Sequence, residues 1–141
     1  MAIARAAFLY FQRRGRGHLA AITSVASLRG NHDGAAYAAS KAFQSTYLDG
    51  LRASAQELKL PIGVTELQPG FVDTAMMKTA TPLTPLVRRL LVCDAPTAAH
   101  QMLEAIRRNR KHSYITRRYA LVAAFLKLLP RPGKKVAPTR S

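Results

Sequence analysis

The sequence predicts an α/β protein built on parallel strands. Three observations carry that expectation: short apolar or β-branched runs at 18–24, 62–68 and 113–116, helix-forming segments of more than ten residues between and around them, and the regular alternation of the two. The 141 residues suffice for one domain with a real core. No internal repeat is visible, and we assign residues 1–130 to one domain and 131–141 to a tail.

Each element has a local reason. Residues 2–13 hold good helix formers, alanine above all, with no capping residue ahead of them, so they read as a helix entered midway, at an internal or mis-assigned start. Gly15-Arg16-Gly17 supplies a turn into the strand at 18–24. A long helix spans 35–58 and ends at Leu60-Pro61, because a residue before proline is biased away from helical dihedrals. Val64 and Thr65 support the strand at 62–68. Between 73 and 91 the pattern is mixed: Thr81-Pro82 and Thr84-Pro85 break it, and Pro85 opens a short helix. Asp94-Ala95-Pro96-Thr97 reads as a cap and first turn of a helix to about 109. A short strand at 113–116 and a helix at 118–129, stopped by Pro130, complete the domain. Residues 131–141 are rich in Pro, Gly and Lys and are expected to be a basic, disordered tail.

One constellation carries chemistry. Ser24 closes the first strand, Tyr37 follows thirteen residues later, and Lys41 follows Tyr37 by four. On a helix, positions i and i+4 share a face, so Tyr37 and Lys41 come within reach of one ligand. A neighbouring ammonium favours the charged form of a phenol, which suits a tyrosine to exchanging a proton with an alcohol or carbonyl oxygen. A strand-end serine can hydrogen-bond the same oxygen as charge develops on it. The simpler alternatives are a capping Ser24 and an unremarkable Tyr/Lys pair.

The stretch Gly17-His18-Leu19-Ala20-Ala21-Ile22-Thr23-Ser24-Val25-Ala26-Ser27-Leu28-Arg29-Gly30, then Ala36-Tyr37-Ala38-Ala39-Ser40-Lys41-Ala42-Phe43, then Leu67-Gln68-Pro69-Gly70-Phe71-Val72-Asp73-Thr74, resembles the short-chain dehydrogenase/reductase family from about residue 5 to about 130. The resemblance implies the C-terminal half of a doubly wound, Rossmann-like parallel sheet. It implies an NAD(P)-dependent oxidoreductase that transfers hydride between nicotinamide and a ketone or secondary alcohol. Tyr37 would be the general acid/base, Ser24 the group that orients and polarises the substrate oxygen, and Lys41 the group that holds the nicotinamide ribose. Pro69 and Gly70 would line the nicotinamide side, with Val72 and Thr74 near the carboxamide, and 73–91 would form a substrate lid.

Departures from the family pattern are as informative. The glycines begin at Gly15, so the glycine-rich turn that cradles a pyrophosphate at a helix N-terminus has no counterpart before Ser24. The asparagine that the family supplies from the preceding helix is also missing, since the asparagines are Asn31 and Asn109. The chain therefore reads as a fragment of a full enzyme. The alternative is a non-catalytic remnant acting as a dimerisation or interaction module, because the helices flanking the Ser24 strand are those through which the family commonly forms dimers. A homo-oligomer is expected for the full-length enzyme.

Formal net charge is +15, from 22 basic and 7 acidic residues; eleven basic residues and no acidic one follow Glu104. Nucleic acid is not an expected partner, because no recognised module is present and aromatics are not interleaved with the basic runs. Residues 119–126 are almost wholly apolar between Arg117, Arg118, Lys127, Arg131, Lys134 and Lys135, as in an interfacial helix, and too short for the ~20 residues that span a bilayer. Peripheral membrane contact through 117–135 is thus kept beside the simpler expectation of a helix that covers a subunit interface or substrate pocket. The basic balance would also suit the 2′-phosphate of NADP, although the residues choosing between NAD and NADP lie in the missing half.

Cys93 is the sole cysteine, which excludes an intramolecular disulfide, and follows an apolar run as an inert buried thiol would. His18, His32, His100 and His112 lack metal-ligand spacing, so no metal is expected. The arginine-rich start faintly resembles a transit peptide, but a cut-off helix accounts for it, and with no secretory signal the expected location is the cytoplasm. Met76, Met77, Leu83, Leu86 and Leu90 hint at an apolar substrate, yet such residues are more often simple packing.

Overall fold

The computed structural model describes residues 1–30, 34–78, 84–116 and 118–128. Helix α1 (Ala2–Arg14) leads into β1 (Gly17–Ile22), a 3-10 turn (Val25–Leu28) and the long helix α2 (Ala35–Glu57). Strand β2 (Ile62–Pro69) follows, then β3 (Val72–Asp73), α3 (Ala75–Lys78), α4 (Pro85–Leu91), β4 (Cys93–Asp94), α5 (Ala95–Arg107), β5 (His112–Ile115) and α6 (Arg118–Leu128).

The main sheet has the order β1-β2-β5, and both pairings are parallel. Its register runs Gly17↔Ile62 to Ile22↔Leu67 on one side of β2 and Glu66↔His112 to Pro69↔Ile115 on the other. Parallel strands need crossovers, and α2 and α5 supply them, so β2 is flanked on both edges and on both faces. On one face Ile62 and Val64 join Phe8 of α1 and Leu48 and Ala55 of α2, with Phe11, Leu19, Leu51 and Leu60 packed around them. On the opposite face Ile115, Ala98 and Cys93 form a second cluster under α5, with Val72 and Met102. β3 and β4 form a separate parallel pair.

Local signals explain the boundaries. Gly15 closes α1 in the left-handed region (φ 77°), which a glycine adopts without a Cβ penalty. A Cβ on Gly17 would lie 2.2 Å from the Phe11 ring, so glycine there lets α1 lie directly on β1. Asp94 Oδ1 accepts the Thr97 N–H at 2.8 Å and caps α5, as the sequence predicts.

Several boundaries differ from expectation. β1 stops at Ile22 instead of residue 24: Thr23 keeps one bond to Leu67 O, and Ser24, still extended, caps the 3-10 turn that carries the chain away. β5 covers 112–115 where 113–116 was expected, and α5 ends at Arg107, with Asn109 beyond it in the left-handed region (φ 48°). The break expected at Thr81-Pro82 and the tail at 131–141 lie outside the described residues.

Candidate active site

The ends of β1 and β2 lie side by side at one edge of the sheet, where ligands of open α/β sheets bind. The Thr23 N–H still donates to Leu67 O (2.8 Å), and Ser24 follows in extended conformation with 8% of its surface exposed. Its Oγ accepts the Ala26 N–H at 3.1 Å and its carbonyl accepts the Ser27 N–H at 3.0 Å, so Ser24 caps the 3-10 turn. That bond uses a lone pair of the oxygen, so the hydroxyl retains its capacity to donate.

α2 packs against this turn and carries the other two residues on its first two turns. Tyr37 is 47% exposed. Lys41 Nζ lies 5.8 Å from the Tyr37 ring centroid, within cation–π range, and donates to Ile22 O (3.4 Å) and Gln44 Oε1 (3.3 Å). The ammonium therefore reaches both the end of β1 and the Tyr37 ring, the sharing of one helix face that the i, i+4 spacing predicts.

The second half of the site is the loop leaving β2. Gly70 N–H donates to Ile115 O at 2.6 Å, and Phe71 N–H donates to the Tyr119 hydroxyl at 3.0 Å. A Cβ on Gly70 would lie 2.0 Å from the Tyr119 ring, so this glycine is required by the close approach of that ring. Burial pushes the Tyr119 phenol up, which keeps it protonated and suits it to structure more than to proton transfer. Val72 is half-buried and pairs with Cys93, while Thr74 is exposed and its carbonyl accepts the Met77 N–H. The structure thus places Ser24, Lys41, Pro69 and Gly70 at adjoining strand ends, with Tyr37 on the first turn of α2 and Val72 and Thr74 further along the loop.

Sequence reasoning missed a buried polar network behind the site. Glu66 is fully buried in β2. It accepts from Thr23 Oγ1 (2.7 Å), Gln68 Nε2 (3.2 Å) and His112 Nδ1 (2.9 Å). Burial pushes its carboxyl up, but bonds from His112, Thr23 and Ser45 outweigh that and hold it below the usual carboxylate range. Gln68 Nε2 also donates to Ser27 Oγ (3.2 Å), and Ser45 belongs to α2. One carboxylate thereby joins the residue before Ser24, the turn after it and the helix carrying Tyr37. The available signal was a lone charge on the face of β2 that otherwise presents Ile62 and Val64.

Other groups fall outside this site. Two surface concavities of about 440 and 290 Å³ are lined by Asp73, Arg88 and Cys93 and by Glu104, His112 and Tyr114 respectively, among others, and by none of Ser24, Tyr37 and Lys41. Cys93 is buried, and burial together with the Asp94 charge pushes its thiol up. Among the described residues no group of three or more His, Cys, Asp or Glu could hold a metal, and no helix is long and apolar enough to cross a membrane.

The fold agrees with solved dehydrogenases. A bulky-bulky ketone specific alcohol dehydrogenase from Comamonas testosteroni superposes with a TM-score of 0.62 at 20% identity, over 95% of this chain and 50% of that one. A short-chain dehydrogenase from Streptomyces avermitilis gives 0.59 at 20%, over 88% and 49%. At the sequence level, an uncharacterized oxidoreductase of Myxococcus xanthus is 34% identical over 119 residues, which is 84% of this chain and 44% of the relative. An uncharacterized oxidoreductase of Mycobacterium tuberculosis is 37% identical over 101 residues, 70% of this chain and 36% of the relative. The chain spans less than half the length of these curated relatives. The short chain dehydrogenase family model matches residues 1–83, and this chain belongs to that oxidoreductase family.

Proposed function

We propose that this chain is the catalytic half of a nicotinamide-dependent oxidoreductase that interconverts a ketone and a secondary alcohol. The observation that carries the reading is the meeting of Ser24, the Tyr37/Lys41 pair and the Pro69-Gly70 loop at two adjoining parallel strand ends, with Lys41 spanning β1 and α2. NAD or NADP, when bound, supplies or takes the hydride. The basic balance of the chain leans toward the extra phosphate of NADP. The exposed face of Lys41 and the backbone of the loop at 70–74 fit a ribose and a carboxamide, both rich in hydrogen-bonding groups.

In the reducing direction Tyr37 gives its phenolic proton to the carbonyl oxygen as negative charge gathers there. The Ser24 hydroxyl donates to the same oxygen, and the Lys41 ammonium stabilises the phenolate left on Tyr37. In the oxidising direction the phenolate takes the alcohol proton back. The test is reduction of a panel of aryl and alkyl ketones by the longest natural form of the protein, with NADPH and NADH. Turnover with either cofactor supports the reading, and an inert protein that nonetheless binds nicotinamide would contradict it.

A second reading rests on α1 and α2. Ile3 and Phe43 are exposed on these helices, and Phe43 stacks near Tyr47 at 6.3 Å between centroids, so the pair could serve a second copy of the chain. Sedimentation equilibrium separates the two: a dimer abolished by Phe43→Glu, with no turnover, would favour the interaction module.

A further inference from the structure

Helix α6 turns one side to the protein and leaves an apolar line on the other. Tyr119 and Ala123 are buried against β5 and the 3-10 turn. Leu121, Phe125 and Leu128 are 78%, 61% and 83% exposed. These three positions are i, i+4 and i+7, so they form one stripe along the helix. The helix meets α4, where Arg118 Nη1 donates to Leu90 O at 2.7 Å, and α4 also exposes Leu86 and Leu90 beside Arg88 and Arg89.

Charge decides what such a stripe meets. No acidic residue follows Glu104, and the same segment of sequence carries eleven basic residues, among them Arg118, Lys127, Arg131, Lys134 and Lys135. A symmetric contact with a second copy through α6 would bring Arg118 toward its own counterpart, in a segment of sequence that carries no acidic residue. Nucleic acid would use the cations and leave the leucines and the phenylalanine unmatched. An anionic bilayer surface accepts both: apolar side chains enter the headgroup boundary, and each nearby Lys or Arg adds about 1 kcal/mol of attraction. At eleven residues α6 is about 16 Å long, too short to cross and long enough to lie flat.

We propose that α6 docks this protein onto anionic lipid surfaces through Leu121, Phe125 and Leu128. Through Tyr119, on the opposite side of α6 from the stripe, the same helix holds Gly70 and Phe71, so docking leaves the β2 loop on the protein side of the helix. The inference does not depend on the oxidoreductase chemistry, because the surface and its charge are independent of it.

Flotation of the purified chain with phosphatidylserine–phosphatidylcholine vesicles, against phosphatidylcholine alone, tests it. Binding to the anionic vesicles should fall at least about tenfold in high salt and at least about tenfold in Leu121→Ser/Phe125→Ser, whose lost apolar burial is worth that much. Both side chains are exposed, so the melting temperature of the variant should match that of the parent. No binding to anionic vesicles overturns the proposal. So does undiminished binding of the variant, which would mean charge alone, or a self-association that the variant abolishes, which would mean a copy interface.

Discussion

The end of β1 and the end of β2 are neighbours in the sheet and are built in opposite ways. At β1 the two α2 side chains are partly exposed and held by long contacts: Lys41 reaches Ile22 O at 3.4 Å, and its ammonium lies 5.8 Å from the Tyr37 ring centroid. At β2 the backbone is locked, with Gly70 and Phe71 bonded to Ile115 and Tyr119 and the Tyr119 ring lying on the glycine. The difference teaches a division of labour. On the proposed reading, the proton-transfer group stays accessible and adjustable, whereas the loop proposed to face the nicotinamide keeps its shape.

The contrast predicts how each side breaks. Tyr119→Ala should cost about 3–5 kcal/mol of stability in thermal or urea melts, since it removes a buried ring and the acceptor of the Phe71 N–H. A loss below 1 kcal/mol would show that the β2 end is not held by that ring. Glu66→Gln should cost about 1–3 kcal/mol, because an amide cannot accept every bond the carboxylate takes.

Glu66 also sets a pH dependence. Its folded pKa lies below its ordinary value of 4.5, so the folded state binds its proton less readily than the unfolded chain. Its contribution is therefore complete above about 4.5 and is lost as pH falls through the lower folded value. Glu66→Gln should flatten stability against pH in that acid window, and an unchanged slope would show that other carboxylates govern it. Lys41→Met should be the mildest change, shifting stability by no more than about 0.5 kcal/mol. A large destabilisation would make Lys41 a structural strut between β1 and α2, and the two strand ends would then be alike.

Much of this arrangement was legible in the sequence because its signals are local. Pro61 announces the end of α2, which closes at Glu57 with Lys59 left-handed just after it, Asp94 caps α5, and Tyr37 with Lys41 needs only the helical repeat. What was not legible depends on contacts distant in sequence. The β3–β4 pair is two residues long on each side, Val72 opposite Cys93 and Asp73 opposite Asp94, too short to leave a periodic signal. Tyr119 sits within an apolar run, and nothing near it announces a partner forty-nine residues earlier at Gly70. Glu66 looked like an isolated charge, since its partners Thr23 and His112 come from just beyond β1 and from β5. The early end of β1 follows from Ser24 acting as a cap, a role its sequence neighbours permit without requiring.

The most direct test of the central assignment is the turnover of the longest natural form of the protein beside its Tyr37→Phe variant, with ketone and nicotinamide at saturation. Loss of one hydroxyl from an exposed side chain leaves the fold intact, and removal of the general acid should lower kcat by about 10²–10⁴. An equally active Tyr37→Phe would contradict the assignment and remove the proton-transfer role from this end of β1.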